Sequence, residues 1–256
     1  MKRIICVFIL TLFLLGCSVV KSPIDTQTKE KSITLQADST TLYLTQAQGD
    51  IKNSVAICFE GVELRAKNER NYFEKEIVSW LKEMTGEEFS LDFFECIQKP
   101  DLDRYERYFV DLTGKTVYRS EEIVSVIFHG TIYLKSAAHP MLVFFSLNYD
   151  PNTLETIRFS EIHSATQELY YVFASEGEKM IREENGGTWP QAFGSFSEVF
   201  CSKEEFLKGL ATDCPVDQRI YFYYTEDKIG FSFSTVFALG GHKEVCLPRS
   251  LLENPQ

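Results

Sequence analysis

The sequence has few of the motifs that identify an enzyme. It contains no Gly-x-Ser-x-Gly, His-Glu-x-x-His, phosphate-binding loop or Gly-x-Gly-x-x-Gly pattern, which are the common signatures of hydrolases, zinc peptidases and nucleotide-binding enzymes. A Ser-x-x-Lys pattern, Ser18 to Lys21, lies in a polar segment rather than in the rigid pocket that an acyl-enzyme needs. There is no Cys-x-x-Cys and no zinc-type spacing, so we expect no metal and no cofactor. We predict that the protein is not an enzyme.

Basic residues are also in short supply. The 256 residues include 26 basic and 37 acidic side chains, which give a net charge of -11. Residues 1–16 hold Lys2 and Arg3 and no acid, so the remainder carries 24 basic and 37 acidic side chains, a net charge of -13. Such a surface repels phosphate backbones and excludes nucleic acid as an expected partner. Phe (21) and Tyr (12) are plentiful, and they can build the core of one large or two small domains.

The N-terminus has the pattern of a bacterial lipoprotein signal peptide. Lys2 and Arg3 precede an apolar run from Ile4 to Leu15, which is shorter than the roughly 20 residues of a membrane span. The run ends in Leu-Leu-Gly-Cys17, which looks like a lipobox, and the Cys17 thiol would then receive the lipid. We predict a signal peptide over 1–16 and a lipidated, palmitate-type tether over 17–32.

No later stretch is long enough to span a bilayer, since the longest apolar run lies around Met141 to Leu147. We therefore expect a protein held to a membrane by its N-terminal lipid, on the extracytoplasmic side of the cell envelope. Ser18 follows the lipidated cysteine and no Asp does. In a Gram-negative cell this favours the outer membrane.

Cys6 lies in the predicted signal peptide and Cys17 would carry the lipid, so five of the seven cysteines remain as candidates for disulfide bonds. Cys201 and Cys214 flank a short helical pattern and are the preferred candidates for a disulfide, and Cys58 with Cys96 is a second candidate pair. An equally good alternative is that these cysteines are small buried hydrophobic residues.

Hydrophobic periodicity predicts strands grouped in hairpins, with helices inserted singly. Strand patterns cover 33–44, 51–64, 89–97, 105–112, 122–134, 139–149, 219–224, 229–237 and 242–247. A first helix carries apolar residues from Tyr72 to Met84 and ends at Gly86, and capping boxes at Ser164 and Ser202 begin two more. The prediction is an α+β fold with antiparallel sheets, in two small, intimately packed subdomains at 33–115 and 116–256.

Three segments of the second half resemble the RsiV-like extracytoplasmic domain, a family of mostly unknown function. The first is Ala137-Ala-His-Pro140 between two strands, and the second is the strand and turn from Phe145 to Ile157. The third is the run from Tyr221 to Phe233, followed by Gly240 to Pro248. The family forms the sensor part of lysozyme-binding anti-sigma factors and occurs beside polysaccharide deacetylase domains and in lipoproteins. The resemblance implies an envelope-exposed recognition domain at 116–256, with a companion module at 33–115.

Histidines and one loop supply the candidate site residues. His129 and His139 lie on strands that we expect to pair. One hypothesis is that they converge with Glu161 on a metal, and the favoured interpretation is a structural role for both histidines. His139 is kept as a candidate binding residue. Trp189 and Phe193 lie in the Gly-rich segment 185–193, where an exposed aromatic side chain is often a contact surface. The alternative is that Trp189 covers the core.

These observations favour a binding or sensor module for an envelope polymer or a protein. The alternative is an envelope hydrolase that acts on cell-wall polysaccharide through a dispersed site of histidines and carboxylates. A concave pocket that holds two or more of His129, His139, Glu161 and His242 would favour the enzyme. Separation of these residues, with an apolar pocket, would favour the binding module.

Overall fold

The computed structural model describes residues 40–48, 51–60, 67–86, 108–135, 137–190, 194–211, 214, 218–235 and 241–253. Residues Ser32–Gln256 belong to one compact unit. The signal peptide, Cys17 and the tether lie outside the described residues, as does the strand predicted at 89–97. No helix in the described ranges is long and apolar enough to cross a membrane.

The first sheet has five strands in sequence order. They are β1 (Thr40–Gln48), β2 (Ile51–Glu60), β3 (Tyr108–Arg119), β4 (Val124–Leu134) and β5 (Met141–Tyr149). All neighbours pair antiparallel except β2 and β3, which are parallel. A parallel pair needs a crossover connection, and the helix α1 (Lys67–Thr85) lies within that connection. The fold is therefore α+β as predicted, but the first sheet is not made of hairpins alone.

Helix α1 covers one face of this sheet because its apolar residues recur at helical spacing. Phe73, Ile77 and Leu81 are fully buried. Phe73 packs its ring against Phe128 of β4 at 6.2 Å between centroids. The helix ends at Gly86, which has a φ of +72° and donates its N–H to the Lys82 carbonyl, as the sequence predicted.

The second sheet has three antiparallel strands, β6 (Tyr221–Tyr224), β7 (Lys228–Ser234) and β8 (His242–Pro248). The helices of this half are α2 (Phe159–Ile162), α3 (Gln167–Glu184), α4 (Phe196–Val199), α5 (Lys203–Gly209) and α6 (Ser250–Glu253). A second hydrophobic cluster joins α3, α4 and α5 to β7 and β8. Its centre is Phe173 of α3, whose ring lies 4.4 Å from that of Phe206.

Polar side chains join the two sheets. Ser146 Oγ and Asn148 Nδ2 of β5 both donate to the Phe222 carbonyl of β6, Asn148 at 2.7 Å. Ser125 Oγ of β4 donates to Asn148 Oδ1 and accepts the Tyr224 backbone N–H at 3.1 Å. The backbone groups on this edge of β6 are thus satisfied by side chains of the first sheet rather than by another strand.

Several predicted boundaries differ from the observed ones, and two of the differences change an interpretation. Helix α3 begins at Gln167 and its N-cap is Thr166, whose hydroxyl accepts the Leu169 N–H, so the box predicted at Ser164 was wrong. Strand β3 continues past Gly114 to Arg119, because β4 pairs with it along its length, and the predicted end at residue 112 was wrong. The position 115/116, where the sequence suggested a module boundary, therefore lies inside a strand.

Candidate functional site

Two depressions lie on either side of one hydrogen-bonded pair. Trp80 of α1 donates its indole N–H to the Tyr221 hydroxyl at 3.1 Å, and its ring stacks on Phe145 at 4.3 Å between centroids. Burial raises the pKa of Tyr221, so its hydroxyl stays protonated and can donate in turn. Trp80 and Tyr221 line both depressions. We call the polar one the cleft and the apolar one the pocket.

The cleft has a volume of about 830 Å³ and lies between α1, the segment 154–161 and the segment 219–222. Its charged lining residues are of both signs: Lys75, Glu76, Glu83, Glu155, Arg158, Glu161 and Arg219. Such a surface suits a ligand that is rich in hydrogen-bonding groups.

The ion pairs of the cleft show which of its charges are held in place. Arg219 donates to the Cys214 carbonyl at 3.0 Å and pairs with Glu83 at 3.5 Å, so this guanidinium is fixed. Arg158 pairs with Glu161 at 3.4 Å, with both side chains about half exposed.

Ser79, which begins a second Ser-x-x-Lys pattern ending at Lys82, also lines the cleft. This second pattern lies within α1 and was not among the predicted sites.

The pocket has a volume of about 420 Å³ and is mostly apolar. It lies between the C-terminal half of α1, the start of β5, the end of β7 and the start of β8. Its apolar lining residues are Trp80, Met84, Pro140, Met141, Leu142, Val143, Phe144, Tyr221 and Phe233. Gly241 has a φ of +74° and packs so tightly that a Cβ would lie 2.6 Å from that of Leu142, so a larger residue would push into the wall.

A network of three polar side chains lies at the edge of the second sheet. Tyr223 donates its hydroxyl to Glu244 Oε2 at 2.6 Å, and His242 Nε2 lies 3.4 Å from Glu244 Oε1. Burial by itself would raise the pKa of Glu244, but hydrogen bonds from His242 and Tyr223 outweigh it and hold the pKa below its usual range. The other imidazole nitrogen, His242 Nδ1, is buried and has no hydrogen-bond partner.

The structure brings two of the four candidate groups together. His139 and His242 both line the pocket. Glu161 lines the cleft instead, and His129 is exposed on β4 and lines neither. Among the described residues, no group of three or more His, Cys, Asp or Glu side chains could hold a metal ion. The pocket thus holds two of the four residues, as expected of the enzyme. Its apolar lining is only part of what was expected of the binding module, because His139 and His242 are not separated.

Trp189 covers the second core. It is half-buried, packs its ring against Phe200, and donates its indole N–H to the Gly194 carbonyl at 2.8 Å. The Arg182 guanidinium lies 5.7 Å from its ring centroid. These contacts support the alternative that Trp189 has a structural role, and Phe193 lies outside the described residues.

Among the cysteines whose side chains the structure describes, Cys201 and Cys214 are buried and Cys246 is exposed. Cys201 is a free, buried thiol in the structure, so the bridge to Cys214 is not formed in it, although Cys214 is buried too. Burial raises the pKa of Cys201 to about 12, which keeps the thiol protonated and unreactive. Cys96 lies outside the described part of the chain, so its pairing with Cys58 stays a prediction.

Comparison with solved structures found proteins whose chains superpose in part on this one. One is a member of the DUF3298 family from Bacteroides fragilis, with 14% sequence identity and a TM-score of 0.45 over 85% of this chain and 91% of the other. Another is a DUF3298 family protein from Pseudomonas aeruginosa, with 15% identity and a TM-score of 0.45 over 85% of this chain and 95% of the other. No family model and no curated protein matches the sequence.

Proposed function

We propose that the protein is a lipid-anchored binding module of the cell envelope, and that its ligand is a polar envelope polymer seated in the cleft. The lipobox at Cys17 supports the location. The cleft is the observation that carries the binding role, because it is the larger depression and its lining combines fixed charges of both signs.

The chemistry of the cleft favours an uncharged or zwitterionic polymer with many hydroxyl and amide groups. Lys75 and Arg158 are exposed cations on opposite walls, and each lies beside a carboxylate, Glu76 or Glu161. Neighbouring donors and acceptors of this kind recognise hydroxyls and amides, whereas a strongly anionic polymer would be repelled by the net charge of -13 that residues 17–256 carry. Peptidoglycan, a polysaccharide with peptide branches, has these groups.

The test is sedimentation of the chain from Ser18 to Gln256 with insoluble peptidoglycan. This chain keeps every residue that the structure describes. We expect saturable co-sedimentation, and about tenfold weaker binding when Lys75→Ala and Arg158→Ala are combined. The matched control combines Lys179→Ala and Lys228→Ala, two exposed lysines that do not line the cleft. Absence of saturable binding would contradict the proposal, and binding of lysozyme instead would indicate a protein partner.

A second candidate function is hydrolysis of cell-wall polysaccharide, which the presence of both His139 and His242 at the pocket favours. Glycoside hydrolysis normally uses two carboxyl groups, and the described lining of the pocket contains none, whereas the cleft has four. New reducing ends released from peptidoglycan by the chain, and lost in Glu161→Gln, would favour the hydrolase. Binding of peptidoglycan without release of new reducing ends would favour the binding module.

A further inference from the structure

The ion pairs of the cleft leave one of its carboxylates unpaired. Each of the three cations in the described lining lies within 3.6 Å of its own carboxylate: Lys75 with Glu76, Arg158 with Glu161, and Arg219 with Glu83. The fourth carboxylate belongs to Glu155, which is exposed and forms no side-chain hydrogen bond or ion pair with any described residue. The cleft therefore offers one unpaired negative charge to a ligand.

A turn over residues 150–156 fixes the backbone at Glu155. The Asp150 N–H donates to the Glu155 carbonyl at 3.1 Å, and the Leu154 N–H donates to the Asp150 carbonyl at 2.8 Å. Leu154 has a φ of +60°, a left-handed conformation that leucine rarely adopts because its Cβ crowds the backbone. Its side chain packs against the first core, and this packing holds the conformation. A fixed turn thus carries the unpaired carboxylate at the wall of the cleft.

A side-chain hydrogen bond joins this turn to helix α1. The hydroxyls of Tyr72 and Thr156 lie 3.0 Å apart, and both residues line the cleft. Burial raises the pKa of Tyr72, so its hydroxyl stays neutral. The bond therefore fixes the turn against α1 without adding a charge of its own.

The charge of the whole chain acts in the same direction as Glu155. Residues 17–256 carry a net charge of -13, and the described lining of the cleft has one more carboxylate than it has cations. An acidic protein raises the local concentration of cationic groups and lowers that of anionic ones. An ionised carboxylate only accepts hydrogen bonds, whereas an ammonium group donates three. The group that complements Glu155 is therefore an ammonium.

We propose that Glu155 selects the polymer bound in the cleft by pairing with an ammonium group that the polymer carries. The inference rests on the proposed function, since it names the charge of the ligand in the same cleft. The ammonium can belong to an amino sugar or to a side chain of a peptide branch, and both sources give the same pairing.

The test compares ligands with a free amine with their acetylated forms. Calorimetric titration of the chain from Ser18 to Gln256 uses oligomers of glucosamine and of N-acetylglucosamine, at a mildly acidic pH where the amines are protonated and Glu155 is ionised. We expect about fivefold tighter binding of the free amine. The peptide N-acetyl-Ala-Lys-Ala amide, with and without acetylation of its lysine, repeats the comparison. A preference in the first pair of ligands places the ammonium on a sugar, and a preference in the second places it on a peptide branch.

The variant Glu155→Gln keeps the size of the side chain and removes its charge. We expect it to abolish the preference for the amine and to change binding of the acetylated form by less than about twofold. Glu226→Gln is the matched control, because Glu226 is exposed and does not line the cleft, and the variant changes the net charge equally. Glu155→Lys should reverse the preference, since the ammonium would then meet a like charge. Circular dichroism of each variant would confirm that the fold is retained.

Three results would overturn the inference: no preference for either amine over its acetylated form, an unchanged preference in Glu155→Gln, or an equal loss of preference in Glu226→Gln. The last result would mean attraction by the overall charge rather than by Glu155. Sedimentation with peptidoglycan, performed on the same variants, distinguishes the two proposals. Saturable binding of peptidoglycan without any role of Glu155 contradicts only the present inference. A preference for the amine that depends on Glu155, without binding of peptidoglycan, contradicts peptidoglycan as the polymer and supports the role of Glu155.

Discussion

The two halves of the molecule are built on different cores. In the first half, one long helix lies on a five-stranded sheet, and Phe128 stacks on Phe145 at 4.5 Å and 5°. In the second half, three helices pack on three strands around Phe173, whose ring meets the rings of five other aromatic residues: Tyr170, Phe196, Phe206, Phe231 and Phe233. The aromatic contacts of the first core are spread along a sheet, whereas those of the second core centre on the ring of Phe173.

Between the two cores the contacts are both aromatic and polar. Phe144 of β5 packs against Tyr221 and Tyr223 of β6, with ring centroids 6.3 and 6.0 Å apart. Ser125 and Asn148 are both buried, and both bond to β6 across the junction of the sheets. Both depressions open beside this junction, where Trp80 of the first core meets Tyr221 of the second sheet. The comparison teaches that the first core extends onto Tyr221 and Tyr223 of β6, and that the two depressions lie where the two sheets meet.

The largest expected effect is loss of the concentrated core. Phe173→Ala removes a fully buried ring from five aromatic neighbours and should lower the free energy of unfolding by about 3 to 5 kcal/mol. Denaturant unfolding can be followed by Trp80 in a Trp189→Phe background and by Trp189 in a Trp80→Phe background. Equal midpoints for the two probes would mean that the halves unfold together.

Phe128→Ala is the matched change in the first core, since Phe128 is also fully buried. We expect a similar loss. If each variant shifts only the tryptophan on its own side, the halves are independent and the polar junction does not couple them.

A smaller effect should come from the junction itself. Asn148→Leu removes the bond to the Phe222 carbonyl and leaves Ser125 Oγ without its acceptor, which should cost about 1 to 3 kcal/mol. Urea unfolding gives the change directly. Asn152→Ala is the control, because Asn152 is exposed and its side chain bonds to the Glu121 carbonyl outside the junction, and a similar loss there would argue against a special role for the junction.

A change at one helix end should affect the second half alone. Ser202 caps α5 and forms the predicted capping box with Glu205, so Ser202→Ala should cost about 1 kcal/mol. Thermal unfolding measures it. Ser164→Ala should have little effect because Thr166, and not Ser164, caps α3, and a comparable loss in Ser164→Ala would contradict that assignment.

The smallest expected effect concerns acid stability at the second sheet. The pKa of Glu244 is lower in the folded protein than in the unfolded chain, so its ionised form stabilises the fold above the usual value of about 4.5, and this contribution is lost as the pH falls below it. Glu244→Gln should therefore show a shallower fall in melting temperature between neutral and acidic pH. An identical pH profile for the two proteins would contradict the network with His242 and Tyr223.

Local patterns predicted most of the elements. The apolar spacing from Tyr72 to Met84 indicated α1, Ser202 with Glu205 indicated the start of α5, and the residues from Thr225 to Lys228 indicated the hairpin of β6 and β7. The parallel pairing of β2 and β3 was missed, because parallel and antiparallel strands have the same apolar alternation. The hydroxyl of Thr166 competed with that of Ser164 for the same helix end, and sequence spacing does not show which of them the chain places there.

The sequence by itself determined the α+β class, the apolar core residues and the acidic surface, since these depend on composition and on spacing along the chain. Only the tertiary structure decided which polar residues meet. Tyr223 and Glu244 lie 21 positions apart, Trp80 and Tyr221 lie 141 apart, and neither pair follows a local pattern. A hydrogen bond between distant residues depends on how the two sheets dock, and docking is fixed by the packing of both cores together.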